Sequence, residues 1–82
     1  MRLDVALHEL RLFKSRSQAQ AAIAEGHVSL NGAHVKPSHE LKAGDRVSLV
    51  EGLRRRTLEV LELPVRSVSK EAAKAMVREV AD

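Results

Sequence analysis

Apolar residues recur every three or four positions at the start of the chain and every second position through its middle. Leu3, Ala6, Leu7 and Leu10 fall on one face of a helix over residues 3 to 12. Val5 and Leu12 lie off that face, which predicts a second contact or fraying near Leu12. Phe13 and Lys14 form a connection, and Ser15-Arg16-Ser17-Gln18 then has the form of a capping box. In such a box the Ser15 hydroxyl accepts from the Gln18 N–H while the Gln18 side chain reaches back. The second helix runs from Arg16 to Glu25 and stops at Gly26, a residue suited to a left-handed end. Its apolar face is Ala19, Ala22 and Ile23, small enough for the first helix to come close.

The period then shortens to two. His27 to Leu30 predicts a strand with Val28 and Leu30 inward, followed by Asn31-Gly32, a strong hairpin signal because both turn residues take positive φ. Ala33 to Lys36 is the expected return strand, ended or displaced by Pro37. Lys42 to Asp45 reads as a second turn, Arg46 to Val50 as a strand with Val47 and Leu49 inward, and Glu51-Gly52 as a third turn. Thr57 to Leu63 is the last expected strand, closed by Pro64. From Ser69 to Ala81 the spacing of Ala73, Met76, Val77 and Val80 predicts a terminal helix, with Ser69 as N-cap and Glu71 in its first turn. The pattern gives an α+β domain: two N-terminal helices packed on a small twisted antiparallel sheet, with a C-terminal helix. Residues 1 to 63 form the main unit, with its core motif in 1 to 50, and residues 64 to 82 form a helical extension packed on the same domain.

Composition narrows the chemistry. The 82 residues include one aromatic, Phe13, and no cysteine. The core must come from Leu, Val, Ile and Ala, and thiolate zinc sites, disulfides and a cysteine nucleophile are excluded. His8, His27, His34 and His39 match no zinc spacing, and neither a phosphate-binding glycine loop nor a nucleophile motif is present, so no metal, cofactor, small-molecule substrate or enzymatic activity is expected. No apolar run is long enough for a membrane span and the N-terminus does not resemble a signal peptide, which predicts a cytoplasmic protein.

Fourteen Lys and Arg against eleven Asp and Glu make a net charge of +3, so placement matters more than size. No acidic residue occurs between Glu9 and Glu25, whereas Arg11, Lys14 and Arg16 do. The unpaired N–H groups and dipole of the second helix add to those cations as an attraction for phosphate. Arg16, Ser17, Gln20 and Ala24 share the outer face of that helix, polar and low in bulk, and Arg2 joins them if the helices pack as a pair. With so few aromatics, bases have almost nothing to stack on, which leaves phosphates, 2′-hydroxyls and shape to be recognised. Structured RNA suits that better than a single strand. His27, beside Gly26, is expected as a surface donor, and Arg54-Arg55-Arg56 either protects a sheet edge or makes a second phosphate contact. Asp4 reads as a cap or turn acceptor.

A wider pattern joins these positions. Arg2-Leu3-Asp4, Phe13-Lys14-Ser15-Arg16, Ala19, Ile23, Glu25-Gly26-His27-Val28, Leu30-Asn31-Gly32, Lys36-Pro37-Ser38 and Gly44-Asp45 resemble the S4 RNA-binding domain, also called the alpha-L motif. Within that family the short chain is similar to the ribosome-associated fifteen-kilodalton heat-shock group of bacteria and its short relatives in ribosome quality control. The resemblance implies a non-catalytic protein that binds large-subunit ribosomal RNA and tRNA on the ribosome. It also implies RNA-facing roles for Arg2 and Arg16 and a basic connection at Lys14. Ser15 stands where those relatives often carry another basic residue, and Val5 where Lys is common, so this surface is less charged than is usual for the group. Two rivals share the pattern: a helix-turn-helix DNA-binding protein with a hairpin wing, and a protein-docking adaptor using the terminal helix.

Overall fold

In a computed structural model, which describes residues 1–64 and 68–80, the change of period marks a change of layer. Helix α1 (Leu3–Glu9) and helix α2 (Arg16–Ala24) pack on one face of a four-stranded antiparallel sheet. The strands are β1 (Val28–Leu30), β2 (Arg46–Glu51), β3 (Arg54–Val60) and β4 (Val77–Val80), in the order β1-β2-β3-β4, with α3 (Lys70–Ala75) before the last. Register puts Leu30 opposite Val47 and Val47 opposite Leu58, which aligns the apolar side chains of successive strands on one face. Those residues and Val28, Leu49 and Val60 meet Leu3, Ala6, Leu7, Ala19 and Ile23 in the core. Each large side chain buried there is worth roughly 1.5 to 3 kcal/mol. On the opposite face the Ser48 and Thr57 hydroxyls lie 3.0 Å apart and bond to each other.

Four expectations need correction. Helix α1 does not reach residue 12. It stops at Glu9, and Arg11 turns out of it with φ 65°, its N–H bonded to the His8 carbonyl. Leu12 and Phe13 instead pack from the connection against the core. The C-terminal helix is real but short. Ser69 caps it by accepting from the Ala72 N–H, and it ends at Ala75, after which Val77–Val80 adds a strand to β3 with Val77 opposite Val60. Residue 81, the expected end of that helix, lies outside the described residues. The last expected strand also shifts, from residues 57–63 to Arg54–Val60.

The return strand at Ala33 to Lys36 is absent. The Asn31-Gly32 turn forms as expected, with φ 50° and 83° and a bridge between Leu30 and Ala33, but the chain then leaves the sheet. The Pro37 and His39 carbonyls accept from the Asp4 and Leu3 N–H groups at the start of α1, and Leu41 is fully buried. Strand β1 pairs with β2 instead. Asn31 fixes that pairing, since its side chain accepts from the Arg46 N–H at 2.9 Å and donates to Asp45 at 3.1 Å. Gly32→Val places a β-branched residue at positive φ with no neighbour within 4 Å of the added Cβ, so the cost is conformational alone. The expected loss is about 1 to 3 kcal/mol, checked by thermal unfolding.

Candidate nucleic-acid interface

The N–H groups that open α1 are satisfied by the loop carbonyls of Pro37 and His39, and this contact holds Lys36, Pro37 and Ser38 alongside the helix pair. Between that loop and α2 runs a shallow open groove. Arg2, Ser17, Gln20, Ala24, Lys36 and Ser38 line it. Ala24 and the neighbouring Ala21 keep its floor low, so a sugar-phosphate backbone meets polar groups without a bulky barrier.

Asp4 organises this surface. Its side chain is fully buried, and its carboxylate receives Arg2 Nε at 3.0 Å and Nη2 at 3.1 Å, Gln20 Nε2 at 2.7 Å, the Val5 N–H at 2.8 Å and Arg16 Nε at 3.4 Å. Burial alone raises the pKa of this carboxyl group. The hydrogen bonds from Arg2, Gln20 and Val5, with the Arg2 charge, outweigh that and hold it at about 2. The Arg2 and Arg16 side chains are each about half exposed, 46% and 50%. One edge of each is therefore anchored and the other faces solvent. At neutral pH the trio carries a net charge of +1, with two donor groups fixed in direction, an arrangement suited to phosphate oxygens. Asp4 is more than the cap or turn acceptor expected from sequence, because its partners lie 12 and 16 positions away.

Ser15 caps α2, accepting from the Gln18 N–H at 3.1 Å, a contact worth about 1 kcal/mol. The reciprocal bond from the Gln18 side chain is absent among the described residues. This cap fixes where α2 begins, and hence where Arg16 and Ser17 emerge.

The remaining expected residues lie in other places. Arg11 donates to the Val68 carbonyl at 2.7 Å and borders a separate hollow with His8, Lys14 and Lys70. His27 sits 3.6 Å from the Glu25 carboxylate and borders a third cleft, shared with Leu49 and Arg56. The arginine triplet divides. Arg56 is held between Glu79 at 2.8 Å and Glu51 at 3.1 Å, whereas Arg54 and Arg55 are exposed without an ion pair among the described residues. Lys36 and Ser38, which the charge pattern around α2 did not single out, join the groove. Their signal was the Lys36-Pro37-Ser38 stretch within the family pattern.

The S4 domain model matches residues 1–47. The chain belongs to the S4 domain family. It is 37% identical over 73 residues to the RQC P-site tRNA stabilizing factor of Bacillus subtilis, covering 89% of this chain and 85% of that protein. It is 38% identical over 55 residues to small ribosomal subunit protein uS4 of Acidithiobacillus ferrooxidans, and there the match spans 26% of the longer protein. Among solved structures, the trimeric Heat Shock Protein 15 of Vibrio cholerae superposes with a TM-score of 0.91 at 30% identity, over 99% of this chain and 82% of that one. The S4 match ends at residue 47, within β2, so the Arg2–Asp4–Arg16–Gln20 cluster and the Lys36–Ser38 loop all lie inside it.

Proposed function

We propose that this S4 domain protein is a non-catalytic, cytoplasmic RNA-binding factor that holds ribosomal RNA and tRNA on the large ribosomal subunit during rescue of stalled nascent chains. One observation carries the binding surface: Arg2 and Arg16 are anchored on one buried carboxylate, beside an open groove that Arg2 and Lys36 line. Two donor-rich groups held in direction lose little freedom on meeting a phosphate. The ribosomal setting rests on the likeness to the tRNA-stabilizing factor and to Heat Shock Protein 15. Residues 1 to 63 act as the RNA-binding unit. Residues 64 to 82 extend it through α3 and β4, and Arg11 and Lys14, on the separate hollow, make an additional backbone contact.

Arg2, Arg16 and Lys36 give the test its magnitude. Neutralising about three phosphates makes log affinity for tRNA fall against log salt with a slope of roughly −2 to −3. Titrations with tRNA and with duplex DNA at matched salt measure it. A flat response, or equal affinity for both nucleic acids, rejects the reading in favour of a general polyanion or DNA binder.

A further inference from the structure

Most groups on the groove are donors or cations, and a surface of that kind grips DNA and RNA backbones alike. Gln20 is different. Its Nε2 donates to Asp4 Oδ2 at 2.7 Å, and a carboxylate acceptor admits only the NH2 end of the amide. The orientation of the amide is thereby fixed, with Oε1 directed away from Asp4. Oε1 receives no hydrogen bond among the described residues, and Gln20 borders the groove. The result is a hydrogen-bond acceptor held beside Arg2 and Ser17 and opposite Lys36. A phosphate has no proton to give it. A ribose 2′-hydroxyl has one, and it lies along the same backbone that the cations hold.

We propose that Gln20, with its amide locked by Asp4, accepts a hydrogen bond from a ribose 2′-hydroxyl and so makes the groove select RNA over DNA backbone. Asp4 is then a positioning residue with two outputs: it aims the guanidiniums at phosphate and the glutamine carbonyl at sugar. This rests on the proposed RNA-binding surface and adds the chemical group by which RNA is recognised. Arg2 and Arg16 donate equally well to the phosphate oxygens that RNA and DNA share, so neither is confined to the 2′-hydroxyl as an acceptor carbonyl is. The Ser17 and Ser38 hydroxyls rotate freely and serve donors and acceptors alike.

The test uses the full chain and a tRNA transcript pool carrying 2′-deoxy nucleotides at random positions. Bound and unbound molecules are separated and the substituted positions mapped. With the wild-type protein, deoxy substitution at one or a few riboses is expected to weaken binding roughly three- to ten-fold, the value of one neutral hydrogen bond. Gln20→Ala is expected to bind unsubstituted tRNA weaker by the same factor and to lose sensitivity at one of those riboses while keeping the others. Asp4→Asn, which frees the amide but keeps Gln20, is expected to blur the same position. Arg16→Ala should weaken every member of the pool alike. An unchanged pattern with folded Gln20→Ala overturns the assignment, as does a wild-type pattern without any sensitive ribose. Either result leaves the RNA surface standing if Arg16→Ala still lowers affinity. Wild-type affinity in the Arg2/Arg16 double variant instead sinks the surface and this inference with it.

Discussion

Asp4→Asn is expected to lower stability by about 2 kcal/mol at neutral pH, with the deficit disappearing in acid. Asp4 titrates at about 2 in the folded chain against an ordinary value of 3.8, and each unit of difference corresponds to about 1.4 kcal/mol. A carboxyl group whose folded pKa is depressed contributes its stability above the unfolded value. That contribution is lost as pH falls through the folded value. The gap between wild type and variant should therefore be full above about pH 4 and shrink progressively toward pH 2. Unfolding measured across that range checks it. Glu59, also lowered by its hydrogen bond to Arg78, adds acid sensitivity to both proteins and cancels in the difference. A gap that stays constant down to pH 2 would assign the loss to packing instead of charge. A chain of this size has a total stability of roughly 4 to 12 kcal/mol, so one carboxylate accounts for a substantial share.

The visibility of each feature in the sequence follows from the range of the contacts that decide it. The Ser15 cap, the Gly26 stop and the Asn31-Gly32 turn are settled within a few residues, and each formed where its local signal stood. The fate of the chain after Gly32 was settled elsewhere. The first N–H groups of α1 needed acceptors, and residues 37 to 39 supplied them in place of a return strand. At the C-terminus the spacing of Ala73, Met76, Val77 and Val80 satisfies a helix, while Val77 to Val80 also carries apolar residues at both ends of a short extended segment. The open edge of β3 decided between the two: pairing Val77 with Val60 satisfies backbone groups that a longer helix would have left at a sheet edge. Arg2, Arg16, Ser17 and Gln20 were readable from charge and helical spacing. Asp4 was not, because a lone acidic residue in the first turn of a helix has a sufficient local explanation in the dipole. Its convergence with Arg16 and Gln20 depends on how two helices cross.

That convergence separates two arginines that look equivalent in the sequence. Arg16 touches Asp4 through one nitrogen at 3.4 Å, so Arg16→Ala leaves the carboxylate with Arg2, Gln20 and Val5 and should cost well under 1 kcal/mol of stability, Ala being a favourable helix residue. Arg2 grips both oxygens of a buried carboxylate. Its loss removes the shortest charged partner, and Arg2→Ala should cost about 1 to 2 kcal/mol, a charge-assisted pair with one exposed member. Binding should respond in the opposite proportion to folding for Arg16. On the proposed surface each arginine meets phosphate through the edge that Asp4 leaves free, so each change is expected to weaken association with large subunits carrying tRNA by about 1.5 to 3 kcal/mol. The double variant should remain folded at low temperature and lose nearly all co-sedimentation. Sedimentation of the three variants, paired with thermal unfolding of each, resolves the two effects because Arg16→Ala changes only one of them. If the folded double variant co-sediments like wild type, the RNA surface lies elsewhere. Arg54 and Arg55, exposed at the start of β3 without acidic partners among the described residues, would then be the next side chains to change.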